Sequence, residues 1–200
     1  MQIIQWLLDI DTAFFLWINV KLSNPIFDWF MPKITNSDNW IVPGILLIAW
    51  LIIYGKKRGR IAVLLLLITI GLTDILAAQI IKPIVGRIRP SHNMPEMINL
   101  LVSRGGKLSF VSNHAANMFA LSVILGYFYA SWKPLITLLA GMIAFSRVYV
   151  GVHYPADVIF GGLFGYTIAW GVLSLWVMVK MRELKRGRMW VWYDDIPHPE

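Results

Sequence analysis

Five apolar runs, residues 40–54, 61–81, 115–130, 135–150 and 158–179, carry a single carboxylate, Asp74, and a single basic residue, Arg147. Runs so poor in charge specify membrane-spanning helices, because in lipid each backbone polar group must find its partner within its own segment. Several fall short of the ~20 residues a helix needs to cross the hydrocarbon core, so flanking residues must add length. Only 14% of the 200 residues are charged and 58% are hydrophobic, against about 25% charged in soluble domains. With one further span near the N-terminus, the expected fold is all-α: a polytopic membrane bundle of about six transmembrane helices, forming one domain over residues 1–200.

Residues 1–36 admit two readings. They are rich in aromatic residues (Trp6, Phe14, Phe15, Trp17) but interrupted by Asp9 and Asp11. They form either an interfacial helix followed by one span, or a single kinked span. No basic leader precedes them, so a cleavable signal peptide is not expected.

Basic residues orient the bundle. Lys56, Lys57, Arg58 and Arg60 share one short loop, Lys133 lies in another, and Lys180, Arg182, Lys185, Arg186 and Arg188 begin the tail. These connections belong in the cytoplasm, which puts both termini and the tail at 181–200 there and the loop at 82–112 outside. The net charge of +7 then marks cytoplasmic loops and anionic headgroups rather than nucleic acid. The tail is polar and ends in Asp194, Asp195, Pro197 and Pro199, which reads as a surface-lying or disordered end. Without cysteine there is no disulfide, thiol catalysis or Cys-ligated metal.

Lys82, Arg87, Arg89, Arg104 and Lys107 all fall in the outside loop, against the positive-inside tendency, and an anionic ligand would account for them. Three groups of residues share this side. The first is Lys82 followed by Arg89-Pro90, an ammonium and a guanidinium suited to phosphate oxygens. The second is Ser112-Asn113-His114 at the start of an apolar run, where a helix N-terminus favours an anion; a plain cap with an interfacial histidine has the same pattern. The third is Ser146-Arg147, then His153, Pro155 and Asp157. Pro155 suits a first helical turn, from which the Asp157 carboxylate can reach back to His153 and fix its tautomer. Asp157 acting only as a cap fits the same spacing.

The series K-x6-R-P, S-x-H and S-R-x5-H-x3-D, in this order between apolar spans, resembles the type-2 phosphatidic acid phosphatase superfamily of membrane lipid phosphatases and soluble vanadium-dependent haloperoxidases. The resemblance covers Lys82 to Asp157. It implies that His153 attacks phosphorus, Asp157 orients it and His114 protonates the departing oxygen. Lys82, Arg89, Ser112, Asn113 and Arg147 would hold the phosphate oxygens. One position departs: the family's Pro-Ser-Gly-His is here Val111-Ser112-Asn113-His114. Asn tolerates positive φ better than most residues and brings an extra amide donor.

Carboxylates are scarce in the outside loop, with Glu96 the main candidate, so no metal and no cofactor is expected; zinc on His92, His114 and His153 is disfavoured by the cationic neighbours. The resemblance implies a bacterial inner-membrane phosphatase facing the periplasm. Its substrate is a lipid phosphate such as undecaprenyl diphosphate, phosphatidylglycerol phosphate or the 1-phosphate of lipid A. An anion or lipid transporter with a non-hydrolytic site is the competing class, and haloperoxidase chemistry is disfavoured by the membrane spans. Oligomeric state is open. Asp74 is expected to support the bundle by a polar contact across helices, and Gly161, Gly162 and Gly165 to allow close helix packing.

Overall fold

The computed structural model describes residues 2–193, so the expectation for Asp194 to Pro199 falls outside the described residues. Seven helices dominate: α1 Gln2–Lys21, α2 Pro25–Thr35, α3 Asp38–Ile53, α4 Lys56–Val85, α5 Asn113–Phe128, α6 Lys133–Tyr149 and α7 Pro155–Lys185. Among the described residues the only β pairing is an isolated bridge between Ile88 and Leu108.

Three of these, α1, α4 and α7, are long and apolar enough to cross a membrane. Helices α2 and α3, bent by 50° at their junction, are together long and apolar enough for a broken span or a re-entrant loop. Helices α5 and α6 have 16 and 17 residues, about 24–26 Å of rise. The outer faces of α4, α6 and α7 are lipid-like: Leu67 is 59% exposed, Leu135 70% and Leu163 58%, a surface that water would not tolerate over so wide an area. The chain is a multi-pass membrane protein.

Local chemistry explains the irregularities. In α4 the backbone widens into π geometry at Leu76–Ile81, the turn just before Pro83, whose ring clashes with the carbonyl four residues back and whose nitrogen donates no hydrogen bond. Gly86, at φ +64°, then closes the helix. The bend between α2 and α3 follows Pro32.

Helix α5 is central, packed against α4, α6 and α7. Its crossing with α7 is close because α7 presents glycine. A Cβ on Gly161 would sit 2.7 Å from the Ser112 carbonyl, one on Gly162 2.9 Å from the Phe119 ring, and one on Gly165 against the Ala116 backbone. This is the close packing expected of that run. The core below the site is aliphatic, with Leu51, Ala62, Leu66, Ala120, Ile124, Ala169 and Leu173.

The N-terminal helices are fastened to the end of the bundle where α4 and α6 finish and α5 and α7 begin. Asn19, fully buried, donates to the carbonyls of Asn99 (2.8 Å) and Tyr149 (2.7 Å) and accepts from the Asn99 amide (2.8 Å). Tyr149 donates to Asp28 (2.6 Å). Gly151, at φ +88°, turns the chain beneath this clasp, where a side chain would meet the Asn99 carbonyl at 3.1 Å.

Candidate active site

Each expected residue lies where a helix starts or stops at this end. Arg147 occupies the last turn of α6, and the chain turns through Val150–Val152 to His153 before α7 begins at Pro155, the first helical position as the sequence predicts. His153 is 1% exposed. Its Nδ1 faces the Asp157 carboxylate at 3.5 Å, beyond hydrogen-bond length, and has no other partner among the described residues. Contacts of this kind are often long before substrate binds and tighten in the complex.

Asp157 caps its helix and lies beside the imidazole. One carboxylate oxygen accepts from the Tyr154 amide (2.9 Å) and faces His153, while the other accepts from Arg87 (2.9 Å). Arg87 also donates to Asp11 of α1 (2.6 Å), lies 3.9 Å over the Tyr154 ring, and Asp11 accepts from the Ala156 amide (2.8 Å). The backbone of Asp157 in turn accepts from the Ser112 amide at 3.0 Å, joining the start of α7 to the start of α5.

Around His153 stand the cations. Arg89, Arg147 and Lys82 all act electrostatically on its imidazole, as does His114. Arg89 is aimed by its Nε–H to the Leu108 carbonyl (3.1 Å), and Gly105, at φ +65°, lets the loop lie against the guanidinium, where a Cβ would be 3.0 Å from Nη1. Burial lowers the pKa of Arg89 from its ordinary value. Arg147, 9% exposed, donates to Thr35 (2.9 Å), and its Nε has no partner among the described residues. The Ser112 hydroxyl, at the N-cap of α5, is buried, makes no cap bond and has no partner among the described residues. His114 Nε2 lies 3.2 Å from the Ser37 hydroxyl. Like charges crowded round one imidazole repel one another, and an anion between them adds an attraction to each cation that offsets the repulsion. The unpartnered donors on Arg147 and Ser112 suit the same oxygens.

A family model described as the PAP2 superfamily matches residues 62–181. The chain belongs to the PAP2 superfamily. It is 33% identical over 175 residues to a lipid A 4'-phosphatase of Bacteroides thetaiotaomicron, covering 84% of this chain and 77% of that protein. Its backbone resembles the crystal structure of Aquifex aeolicus LpxE, with TM-score 0.68 and 27% identity over 82% of this chain and 94% of that one. It resembles equally a transmembrane PAP2-type phosphatidylglycerolphosphate phosphatase from Bacillus subtilis, with TM-score 0.67 and 25% identity over 84% of this chain and 85% of that one.

Two side chains at this PAP2 site have partners that the sequence does not report. Asn113 Nδ2 donates to Asp74 (2.7 Å), as does that of Asn117 (3.1 Å), which commits one of the two N–H groups of each amide. Asp74 thereby makes the polar contact across helices expected of it. Arg87, noted in the sequence only as a charge on the unexpected side, is the residue that holds Asp157. His92 is exposed and bonded to the Gly105 carbonyl (3.2 Å), away from His153.

Burial, reinforced by Arg89, Arg147 and Lys82, lowers the pKa of His153 well below its ordinary value. The unfolded chain, with an imidazole pKa of about 6.5, therefore binds a proton that the folded chain refuses. The stabilisation is complete above about pH 6.5 and is lost as pH falls from there toward the folded pKa. Thermal unfolding in detergent between about pH 7.5 and 5.5 is expected to show a falling midpoint, with a shallower slope in His153→Gln.

Proposed function

We propose that this PAP2 protein removes a terminal phosphate from a lipid phosphate monoester or diphosphate, without a metal, through a phosphohistidine on His153. The site faces the outside of a bacterial inner membrane, consistent with the basic loops at the far end of α4, about 45 Å along the helix. Nε2 of His153 attacks phosphorus as the bond to the leaving oxygen breaks, and His114 delivers a proton to that oxygen. Water, giving a proton to His114, then attacks the phosphohistidine, releasing inorganic phosphate and restoring both histidines. Asp157 holds Nδ1 through both steps. Lys82, Arg89, Arg147, the Ser112 hydroxyl and the Asn113 backbone amide bind the non-bridging oxygens, where charge stabilisation is the largest contribution.

The observation that carries this reading is a buried imidazole backed by a buried carboxylate and surrounded by Lys82, Arg89 and Arg147. A base so placed stays neutral and nucleophilic, and three fixed cations supply the charge that a dication supplies elsewhere. The names carried by the B. thetaiotaomicron and B. subtilis proteins, both phosphatases of lipid phosphates, support the same substrate class.

The test is phosphate release in detergent from undecaprenyl diphosphate, phosphatidylglycerol phosphate and lipid A 1-phosphate, with and without chelator. Release from at least one, unchanged by chelator, is expected. Movement of labelled lipid between leaflets without any phosphate liberated would make the protein a transporter and overturn the reading.

A further inference from the structure

The bend between α2 and α3 touches the site twice, through two hydroxyls that belong to none of the motifs read from the sequence. Thr35, 2% exposed, accepts from Arg147 Nη1 (2.9 Å). Ser37, two residues on, meets His114 Nε2 at 3.2 Å and is the hydrogen-bond partner of that ring among the described residues. The bend is braced, so both hydroxyls hold their places. The Trp40 indole donates to the Ile34 carbonyl (2.7 Å), Asn39 Nδ2 to the Lys33 carbonyl (2.8 Å), and the Asp38 amide to Asn36 Oδ1 (3.1 Å). Thr35, Ser37 and His114 also line two cavities in common. One, of ≈ 500 Å³, adds Arg147 and Asp38; the other, of ≈ 680 Å³, adds apolar side chains of α3, α4 and α5 together with Asp74 and its two asparagines. His114 therefore stands between a polar cavity beside a phosphate-binding cation and a largely apolar one, the place a scissile ester oxygen of a lipid has to occupy.

We propose that Ser37 is a positioning residue for His114, holding Nε2 so that Nδ1 gives its proton to the leaving oxygen, and that Thr35 likewise positions Arg147 on the phosphate. This rests on the phosphatase reading above. In the imidazolium both ring nitrogens carry hydrogen: Nε2–H donates to the Ser37 oxygen and Nδ1–H to the ester oxygen. As the P–O bond breaks, its electron pair goes to that oxygen and the Nδ1 proton follows. His114 is left as the Nε2–H tautomer with its bond to Ser37 intact. Lys82, Arg89 and Arg147 repel the protonated ring, and an acceptor on Nε2–H favours it. A carboxylate in place of Ser37 would bind the proton more tightly and make a weaker acid, so a neutral hydroxyl suits a proton donor. Thr35 acts through Arg147 on the phosphate oxygens, whatever group departs.

The test is the dependence on leaving group, measured on the detergent-solubilised full chain. One substrate is phosphatidylglycerol phosphate, or phosphatidic acid if that is turned over faster, each of which departs as an alcohol and needs a proton. The other is 4-nitrophenyl phosphate, whose phenolate departs without one, or undecaprenyl diphosphate, whose leaving group is a phosphate, if the aryl ester is not turned over. Ser37→Ala is expected to lose about tenfold or more in kcat on the alcohol ester, with KM little changed, and to lose markedly less on the better leaving group. Ser37→Thr, which restores the hydroxyl, is expected to recover most of the loss. Thr35→Val is expected to lose by the same factor on both. An equal loss on both substrates in Ser37→Ala, no loss on either, or no recovery in Ser37→Thr would overturn the role of Ser37, and a Thr35→Val loss confined to the alcohol ester would overturn that of Thr35. Each of these outcomes leaves the phosphatase reading intact, whereas release from none of the substrates by the unaltered protein is the failure of that reading. Ser37 is exposed, and should Ser37→Ala not fold, Ser37→Gly carries the same comparison.

Discussion

Arg87→Met destabilises the folded protein by about 3–5 kcal/mol and sharply lowers phosphate release. Arg87 bridges two carboxylates, Asp157 at 2.9 Å and Asp11 at 2.6 Å, with side-chain exposures of 15%, 0% and 11% respectively. Removing it takes the paired guanidinium from the buried Asp157, which keeps the Tyr154 amide and the Ser109 hydroxyl as donors, and breaking a buried pair by removing one partner costs more than the pair itself is worth. It also frees Asp11, and with it the hold of α1 on the first turn of α7. Arg87→Lys is expected to recover little, since one ammonium cannot present two parallel donors to one side and a flat face to the Tyr154 ring. Thermal unfolding and phosphate release, measured on the same preparation, check both halves. An unfolding midpoint equal to that of the unaltered protein would contradict the placement of Arg87.

Much of the site was legible because its residues are polar groups in places where polarity is expensive. Arg147, His153 and Asp157 stand out in an apolar half of the chain, and the alternation of apolar runs brings them to the same end as Lys82, Arg89 and His114. Pro155 and the glycines of α7 carry their backbone meaning locally and behave as read. The partner of Arg87 was not legible, because Asp11 is 76 residues away and no periodicity reports so long a contact. Asp9 and Asp11 look alike in the sequence, yet Asp9 accepts from Gln5 one turn earlier (2.9 Å) while Asp11 is part of the site's support. Asn19 gave no signal, being a polar residue in an apolar run whose four bonds form only after folding. The π geometry before Pro83 is invisible to hydropathy, which does not distinguish a widened turn from a regular one. At Asn113 the sequence shows an amide but not its partner, Asp74, eight residues before Lys82 on the neighbouring helix.

The largest effect expected anywhere in the chain is that of His153. Its imidazole is 1% exposed, backed by Asp157 and faced by three cations, and the proposed phosphohistidine forms on it. Loss of a covalent nucleophile typically costs about 10⁴–10⁶-fold in turnover, with the binding groups left in place. The direct measurement is phosphate release by His153→Ala from whichever lipid the unaltered protein hydrolyses best, in detergent with chelator present and with helix content verified by circular dichroism. A folded variant with turnover reduced by about 10⁴-fold or more is the predicted result. A folded variant that releases phosphate at the original rate would contradict the account at its centre.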